Sequence, residues 1–160
     1  MREAIRIHAG RGRPIYAECG GLMYLASQIR TADGGAHAMA GVLPGTCVVG
    51  DRLRALGYVE VETTAPTLLG PAGTRFRGHQ FRYSDLEDVP ETVERAYRAT
   101  RRRDGAVSAE GYRIGPVLAS YVHAHWASCP GAALPSSAPR MSGHRRVTLN
   151  CGAKWVNRSE

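Results

Sequence analysis

The sequence predicts an α/β domain organised around a short strand, a sharp turn and a helix near its N-terminus. The apolar run from Pro14 to Ala17 is typical of a buried strand. Alternating apolar and polar residues over 57–62 and 74–83 predict two further strands, the first of them antiparallel and half-buried. Apolar residues also recur at helical spacing directly after the first strand, at Leu22, Met23, Leu25, Ala26 and Ile29.

The turn between that strand and the helix contains a cysteine, Cys19. A strand that becomes a helix within a few residues needs small neighbours, and Ala17, Gly20 and Gly21 supply them. The thiol of Cys19 would lie at a helix N-terminus, where its pKa falls below the usual value of about 8.5. Two interpretations remain open at this point, a reactive nucleophile and a buried structural cysteine.

The region preceding this turn predicts another helix. Residues 2–10 place Ala4, Ile5 and Ile7 on one apolar face, and the segment 10–14, rich in glycine and ending in proline, terminates the helix.

The second half of the chain predicts a polar connection and then a strand. Residues 87–103 are acidic and then basic, and residues 116–122 form an apolar run that leads to His123. The apolar anchors of the polar connection are Val93, Ala96 and Tyr97.

Length and composition set the class of protein. With 160 residues and 43% hydrophobic content, the chain is expected to form one domain with its own core. It has neither an apolar run of about 18 residues nor a signal-peptide core, so the sequence predicts a cytoplasmic protein without membrane contact. The cysteines are too widely spread for a disulfide framework, and Cys129, His144 and Cys151 fit no zinc-site spacing, so no metal is expected.

The net charge of +7 raises the possibility of nucleic-acid binding. The charge is scattered, however, and its densest run, Arg101–Arg103, precedes Asp104 and Gly105 as in a solvated hairpin turn. Aromatic residues that would stack bases are not interleaved with the basic ones. Nucleic acid is therefore not an expected partner, and a basic nucleic-acid-binding protein is the least favoured alternative.

Four segments, in order along the chain, carry a resemblance to a known family. They are the strings around Cys19 (15–25), 51–61, 76–84 and 119–128. Together they resemble the C-terminal glutaminase domain of cobyrinate a,c-diamide synthases, which are class I glutamine amidotransferases. The resemblance covers residues 1–129 and implies part of a flavodoxin-like, mostly parallel sheet, in which the strand before Cys19 neighbours the strand leading to His123.

The resemblance also implies a chemistry. Cys19 would attack the side-chain amide of glutamine, and the N–H of Gly20 would be one donor to the resulting oxyanion; Gly21 and His79 would help bind substrate. No cofactor is expected on this chain, whereas ATP and Mg²⁺ would serve the synthase domain of such enzymes. The implied partners are glutamine and, through that synthase domain, a corrinoid precursor.

Two histidines compete for the role of catalytic base. Related enzymes end a strand with His-x-Glu, in which the glutamate orients the imidazole, whereas this sequence has His123-Ala124-His125. Residues two apart on a strand lie on one face. Either His123 is the base and His125 takes the orienting position, or His125 is itself the base.

The sequence departs from the family in several places. Gln80 and Arg82 stand where the family usually has glutamate and histidine. The first strands and a glycine-rich loop that supplies a second oxyanion donor have no counterpart before Met1, so we expect a truncated fragment with weak or no activity alone and a tendency to associate with another chain. Residues 130–160 are predicted to be a disordered tail. The alternative function is an inactive remnant or regulatory subunit.

Overall fold

The computed structural model describes residues 1–130 and the backbone of residues 147–149. In chain order the elements are α1 (Arg2–Gly10), β1 (Ile15–Glu18), α2 (Gly20–Leu25), β2 (Ala26–Arg30), β3 (Ala36–Ala38), β4 (Leu43–Val49), β5 (Ala55–Thr63), β6 (Arg75–Arg82), β7 (Ser84–Glu87), β8 (Glu94–Arg101), β9 (Val107–Ile114), β10 (Val117–Ser120), β11 (His123–His125), a 3-10 turn (Trp126–Ser128) and β12 (Val147–Leu149).

The larger sheet has the strand order β11-β6-β5-β8-β9-β10-β1-β12. The predicted α/β class is confirmed, and β1 and β10 are neighbours as expected. The expectation of a mostly parallel arrangement is wrong for the described strands of this sheet, whose parallel pairs are β1 with β10 and β1 with β12. The remaining pairs in this sheet are antiparallel. Short connections after β5, β8 and β9 return the chain directly beside the strand it has left, which produces antiparallel pairing.

The larger sheet curls back on itself. Only Tyr121 and Val122 separate β10 from β11, yet β11 lies at the far edge of the sheet against β6. Gly78 on β6 permits this approach, since a Cβ atom there would lie 2.5 Å from Cγ1 of Val122 and 2.6 Å from the carbonyl oxygen of His123. The curled strands enclose a core that includes Tyr16, Val61, Leu69, Phe76, Tyr97 and Leu118.

A second sheet, of order β3-β2-β4-β7, begins where a helix was predicted to continue. The helix after Cys19 ends at Leu25, and residues 26–30 form β2, which pairs in parallel with β4 and antiparallel with β3. Backbone pairing with two strands outweighs the helical spacing of Ala26 and Ile29. A second core lies between the two sheets and contains Ile5 of α1, Ile15, Leu22, Leu25, Leu43 and Cys47.

The predicted polar connection over 87–103 contains a strand instead. β8 lies between β5 and β9 in the larger sheet. The predicted anchors Val93, Ala96 and Tyr97 are buried, as expected. The strand was missed because its remaining residues are mostly charged. The hairpin turn after Arg101 is confirmed, with Asp104 accepting a hydrogen bond from Arg101 at 2.8 Å.

One short segment of the predicted tail is described. Val147–Leu149, within the predicted tail, forms β12 along the outer edge of β1. Its β-prone sequence supplies partners to the backbone groups of that edge. The rest of the predicted tail, including His144 and Cys151, lies outside the described residues. Among the described residues, no helix has the length and apolar character needed to cross a membrane.

Candidate active site

Cys19 occupies a strained turn between β1 and α2. Its backbone has φ 48° and ψ −106°, and Asp88 is the one other non-glycine residue with positive φ in the described part of the chain. Such a conformation costs about 1–3 kcal/mol and persists only where surrounding structure enforces it. The N–H of Cys19 donates to the carbonyl of Ser120 at 2.8 Å, and its carbonyl accepts from the N–H of Met23 at 3.0 Å. Both ends of the turn are therefore held.

Gly20 and Gly21 are the first residues of α2. The first N–H that closes a helical turn belongs to Met23, so the N–H groups of both glycines have no acceptor within the helix. Leu22 and Leu25 are fully buried and anchor α2 beneath the turn. This arrangement matches the strand–nucleophile–helix elbow predicted for Cys19.

His123 begins β11 directly opposite His79 of β6. Their rings stack with centroids 4.9 Å apart and planes inclined by 15°. Partial burial lowers the pKa of His123 from its usual value of 6.5, and the neighbouring His79 lowers it further, while Glu18 raises it. The net direction favours a neutral imidazole near neutral pH, which is the form able to accept a proton.

Glu18 is a site residue that sequence reasoning missed. Its side chain is 3% exposed and lies between β1 and β11. Its Oε1 accepts hydrogen bonds from the Tyr16 hydroxyl at 2.7 Å and from the N–H of Ala124 at 3.1 Å. Its Oε2 lies 3.9 Å from Nδ1 of His123. A glutamate in an otherwise apolar strand is the signal that was available, because glutamate is rarely buried unless it is paired.

His125 lies two residues further along β11, opposite Arg77, and its side chain is exposed. Its carbonyl accepts a hydrogen bond from the Ser128 hydroxyl at 2.6 Å, and that hydroxyl oxygen accepts from the N–H of Arg77 at 2.8 Å. The structure therefore brings His79, His123 and the residue before Cys19 together, and it leaves the side chain of His125 exposed.

A second buried carboxylate, Glu110 on β9, shapes the connection between β10 and β11. It accepts hydrogen bonds from the N–H of Gly111 at 2.5 Å, the hydroxyl of Ser120 at 2.5 Å and the N–H of Tyr121 at 2.9 Å. Ser120 Oγ in turn accepts from the N–H of Val122 at 2.9 Å. Burial raises the pKa of Glu110. This carboxylate fixes the bend that delivers His123.

Arg82, one of the two departures from the family pattern, packs against the same bend. Its guanidinium lies 4.6 Å from the ring centroid of Tyr121. It also donates to the carbonyl of Ser84 at 2.6 Å and pairs with Asp85. Arginine at this position therefore has a defined structural environment.

Residues 1–130 match the family model described as the CobB/CobQ-like glutamine amidotransferase domain. The chain belongs to this family. It is 52% identical over 121 residues to a cobyrinate a,c-diamide synthase of Leptospira interrogans, covering 75% of this chain and 27% of that protein. It is 45% identical over 134 residues to the cobyrinate a,c-diamide synthase of Salmonella typhimurium, covering 81% and 28%. The resemblance inferred from the four segments is thereby confirmed.

This member of the CobB/CobQ-like family spans about a quarter of the length of the curated relatives it matches. Among solved structures, it is similar to one titled "Crystal structure of glutamine amidotransferase", with a TM-score of 0.54 and 23% identity over 76% of this chain and 58% of the other. That likeness confirms the fold.

Proposed function

We propose that this chain carries the glutaminase chemistry of a cobyrinate a,c-diamide synthase. It would release ammonia from glutamine for the ATP-dependent amidation of the a and c side chains of a corrinoid precursor. The observation that carries the proposal is the strained turn at Cys19, beside which Glu18 contacts His123. The relatives that this chain matches are cobyrinate a,c-diamide synthases, which supports the choice of product.

The first half of the reaction forms a thioester. His123 takes the proton of the Cys19 thiol, and the sulfur attacks the side-chain carbonyl carbon of glutamine. Charge moves onto the carbonyl oxygen, where the N–H of Gly20 stabilises it. His123 then gives its proton to the amide nitrogen, the carbon–nitrogen bond breaks, and ammonia leaves. The lowered pKa of His123 suits it to accept the thiol proton near neutral pH.

The second half regenerates the thiol. His123 takes a proton from water, the hydroxide attacks the thioester carbonyl, and the same N–H of Gly20 stabilises the second oxyanion. The carbon–sulfur bond breaks, His123 returns its proton to the sulfur of Cys19, and glutamate leaves.

Amide formation uses ATP and Mg²⁺. We assign both to the synthase portion of such proteins. In the part of this chain that the structure describes, no three His, Cys, Asp or Glu side chains cluster in a way that would hold a metal ion.

The face that carries His79 also suits contact with that synthase portion. Leu56, Tyr58 and Phe81 are exposed there, and Tyr58 lies directly opposite His79 in the β5–β6 pair. In a full-length protein, Tyr58→Asp should lower amidation from glutamine while sparing amidation from free ammonia, because only the first requires this contact. Equal loss with both nitrogen donors would contradict the assignment.

The proposed activity is tested on the nucleophile with a matched cysteine control. Glutamate and ammonia release from glutamine are measured for the wild type, Cys19→Ala and Cys47→Ser, together with labelling by a thiol-reactive glutamine analogue. Cys47 is buried, its Sγ lies 3.6 Å from the Tyr121 hydroxyl, and burial raises its pKa to about 11. We expect Cys19→Ala to abolish release and labelling, and Cys47→Ser to preserve both.

Two results would contradict the proposal, each in a different part. Release that survives Cys19→Ala would exclude Cys19 as the nucleophile. A folded wild type that neither releases ammonia nor takes the label would favour the inactive or regulatory subunit over the glutaminase.

A further inference from the structure

The site contains a buried carboxylate that the proposed reaction has not used. In related enzymes a glutamate two residues after the catalytic histidine orients the imidazole, and here that position is His125. Glu18 precedes the nucleophile in sequence, and its Oε2 lies 3.9 Å from Nδ1 of His123. The carboxylate therefore reaches the histidine from the other side, on β1 and not on β11.

We propose that Glu18 is the positioning carboxylate of His123, holding the imidazole with Nδ1 protonated and Nε2 free to act as the base. The proposal rests on the glutaminase function proposed above and deepens it. A single dipeptide, Glu18-Cys19, then supplies both the orienting group and the nucleophile.

The two oxygens of Glu18 have different tasks. Oε1 accepts from the Tyr16 hydroxyl and from the N–H of Ala124, the residue after His123, so the carboxylate plane is fixed relative to β11. Oε2 faces Nδ1 of His123. A purely structural role would be met by Oε1 alone, since its two hydrogen bonds already join β1 to β11.

The distance of 3.9 Å is longer than a hydrogen bond. A movement of the ring by about 1 Å closes it, and catalytic hydrogen bonds commonly tighten when substrate binds. Once Nδ1–H donates to Oε2, the tautomer is set, because the second ring nitrogen of a neutral imidazole is then unprotonated. That nitrogen is the one we assign to proton transfer with Cys19.

Two ionisable side chains lie beside His123 in the described structure, and a third follows it on the same strand. Glu18 contacts it from β1, the His79 ring stacks on it from β6, and His125 lies two residues along its own strand. Glu18 raises the pKa of His123 and His79 lowers it. The effect of Glu18 can therefore be recognised by its sign.

The test is an NMR titration of the His123 ring in the wild type, Glu18→Gln and Glu62→Gln. Glu18→Gln keeps an oxygen for Tyr16 and Ala124 and removes the charge. Glu62→Gln makes the same change on the same sheet. Tyr58 of β5 is aligned with His79 and His123 across the sheet, and Glu62 lies four residues, or about 13 Å, further along β5. We expect the pKa of His123 to fall in Glu18→Gln and to stay unchanged in Glu62→Gln.

Kinetics provide the second readout. In Glu18→Gln we expect kcat for glutamine hydrolysis to fall about 10- to 10²-fold, less than the 10²- to 10⁴-fold typical of a general acid–base itself, with KM nearly unchanged. The acid limb of the pH profile should move to lower pH together with the pKa of His123. Glu62→Gln should match the wild type in both.

An unchanged His123 pKa in folded Glu18→Gln would overturn the positioning role, whether or not the protein hydrolyses glutamine. If Glu18→Gln does not fold, Glu18→Asp decides, because it retains the charge at a greater distance from His123: a fall in the pKa of His123 supports the proposal and no change refutes it. Failure of the proposed function is recognised separately. In that case the NMR titration of His123 gives the expected result, but the wild type releases no ammonia.

Discussion

The two buried glutamates, Glu18 and Glu110, lie on either side of β10, and their hydrogen bonding differs. Three protein donors converge on Glu110 and occupy both of its oxygens. Glu18 receives two donors on Oε1, while Oε2 faces an imidazole at a distance beyond a hydrogen bond. Donors reach both oxygens of Glu110, whereas Oε2 of Glu18 retains capacity for a further donor at His123.

This difference distinguishes a carboxylate that holds structure from one that can take part in chemistry. When donors occupy both oxygens of a buried carboxylate, its removal leaves those donors unpaired. An acceptor with an open lone pair beside a histidine can respond when that ring moves or gains a proton. Burial alone does not separate the two cases, because both side chains are nearly inaccessible.

The largest contrast should appear in stability. Glu110→Gln places an amide NH₂ group against a backbone N–H, whichever way the amide is turned, because N–H donors face both oxygens. Glu18→Gln can keep its oxygen at the two donors and direct NH₂ toward His123. We expect Glu110→Gln to lower the free energy of unfolding by about 1–3 kcal/mol more than Glu18→Gln, measured by urea denaturation. Equal losses would remove the distinction.

The pH dependence of stability sharpens the same contrast. Burial raises the pKa of Glu110 above its usual value of 4.5, so between that value and the raised pKa the native state binds more protons than the unfolded state. Its contribution to stability is then fully present below the unfolded pKa and is lost as pH rises through the folded pKa. We expect the stability difference between the wild type and Glu110→Gln to shrink over this window and then become constant. A difference that grows with pH would contradict the raised pKa.

A substitution on β6 tests the surroundings of His123 from the opposite side. His79→Gln removes the stacked imidazole that lowers the pKa of His123, so that pKa should rise, the reverse of the change in Glu18→Gln. NMR titration of the His123 ring measures both variants. Glu62→Gln serves as the control and should leave this pKa unchanged, and a fall in His79→Gln would show that the stack acts mainly by another route.

The smallest expected effect concerns the strand that carries Glu18. β1 lies between β10 and β12, whereas β9, which carries Glu110, lies between β8 and β10. A chain shortened to end at residue 146 loses β12, so we expect Tm to fall by about 2–4 °C, as a loss near 1 kcal/mol would give. Hydrogen exchange should accelerate in β1 and not in β9. A chain ending at residue 149 is the control, and equal exchange in both would show that β12 contributes nothing.

The turn at Cys19 was predictable because its signals are local. Small residues flank the cysteine, an apolar strand precedes it, and helical spacing follows. The strand β2 was not predictable, because its conformation depends on contacts distant in sequence. Ala26 and Ile29 continue the helical spacing, but pairing with β3 and β4 decides their conformation. Tertiary contacts commonly override such local preferences.

Glu18 could not be assigned to the site from the sequence alone. The glutamate is visible beside the cysteine, but its partner Ala124 lies 106 positions away. The pairing of His123 with His79 likewise depends on the close approach of β11 to Gly78. The histidine itself was found through the resemblance, whereas its carboxylate neighbour required the curled sheet.

That curl also constrains the order in which the molecule assembles. The hydrogen bond between Ala124 and Glu18 and the pairing of β11 with β6 both close long loops, whose entropy must be lost before the contacts form. Local hairpins such as β5–β6 and β8–β9 can form earlier. We therefore expect the approach of His123 to Glu18 to be among the last steps of refolding. Reactivity of Cys19 toward a glutamine analogue should accordingly return no sooner than the native fluorescence of Trp126, a partly buried residue that packs against the enclosed core with its ring centroid 5.4 Å from that of Tyr16.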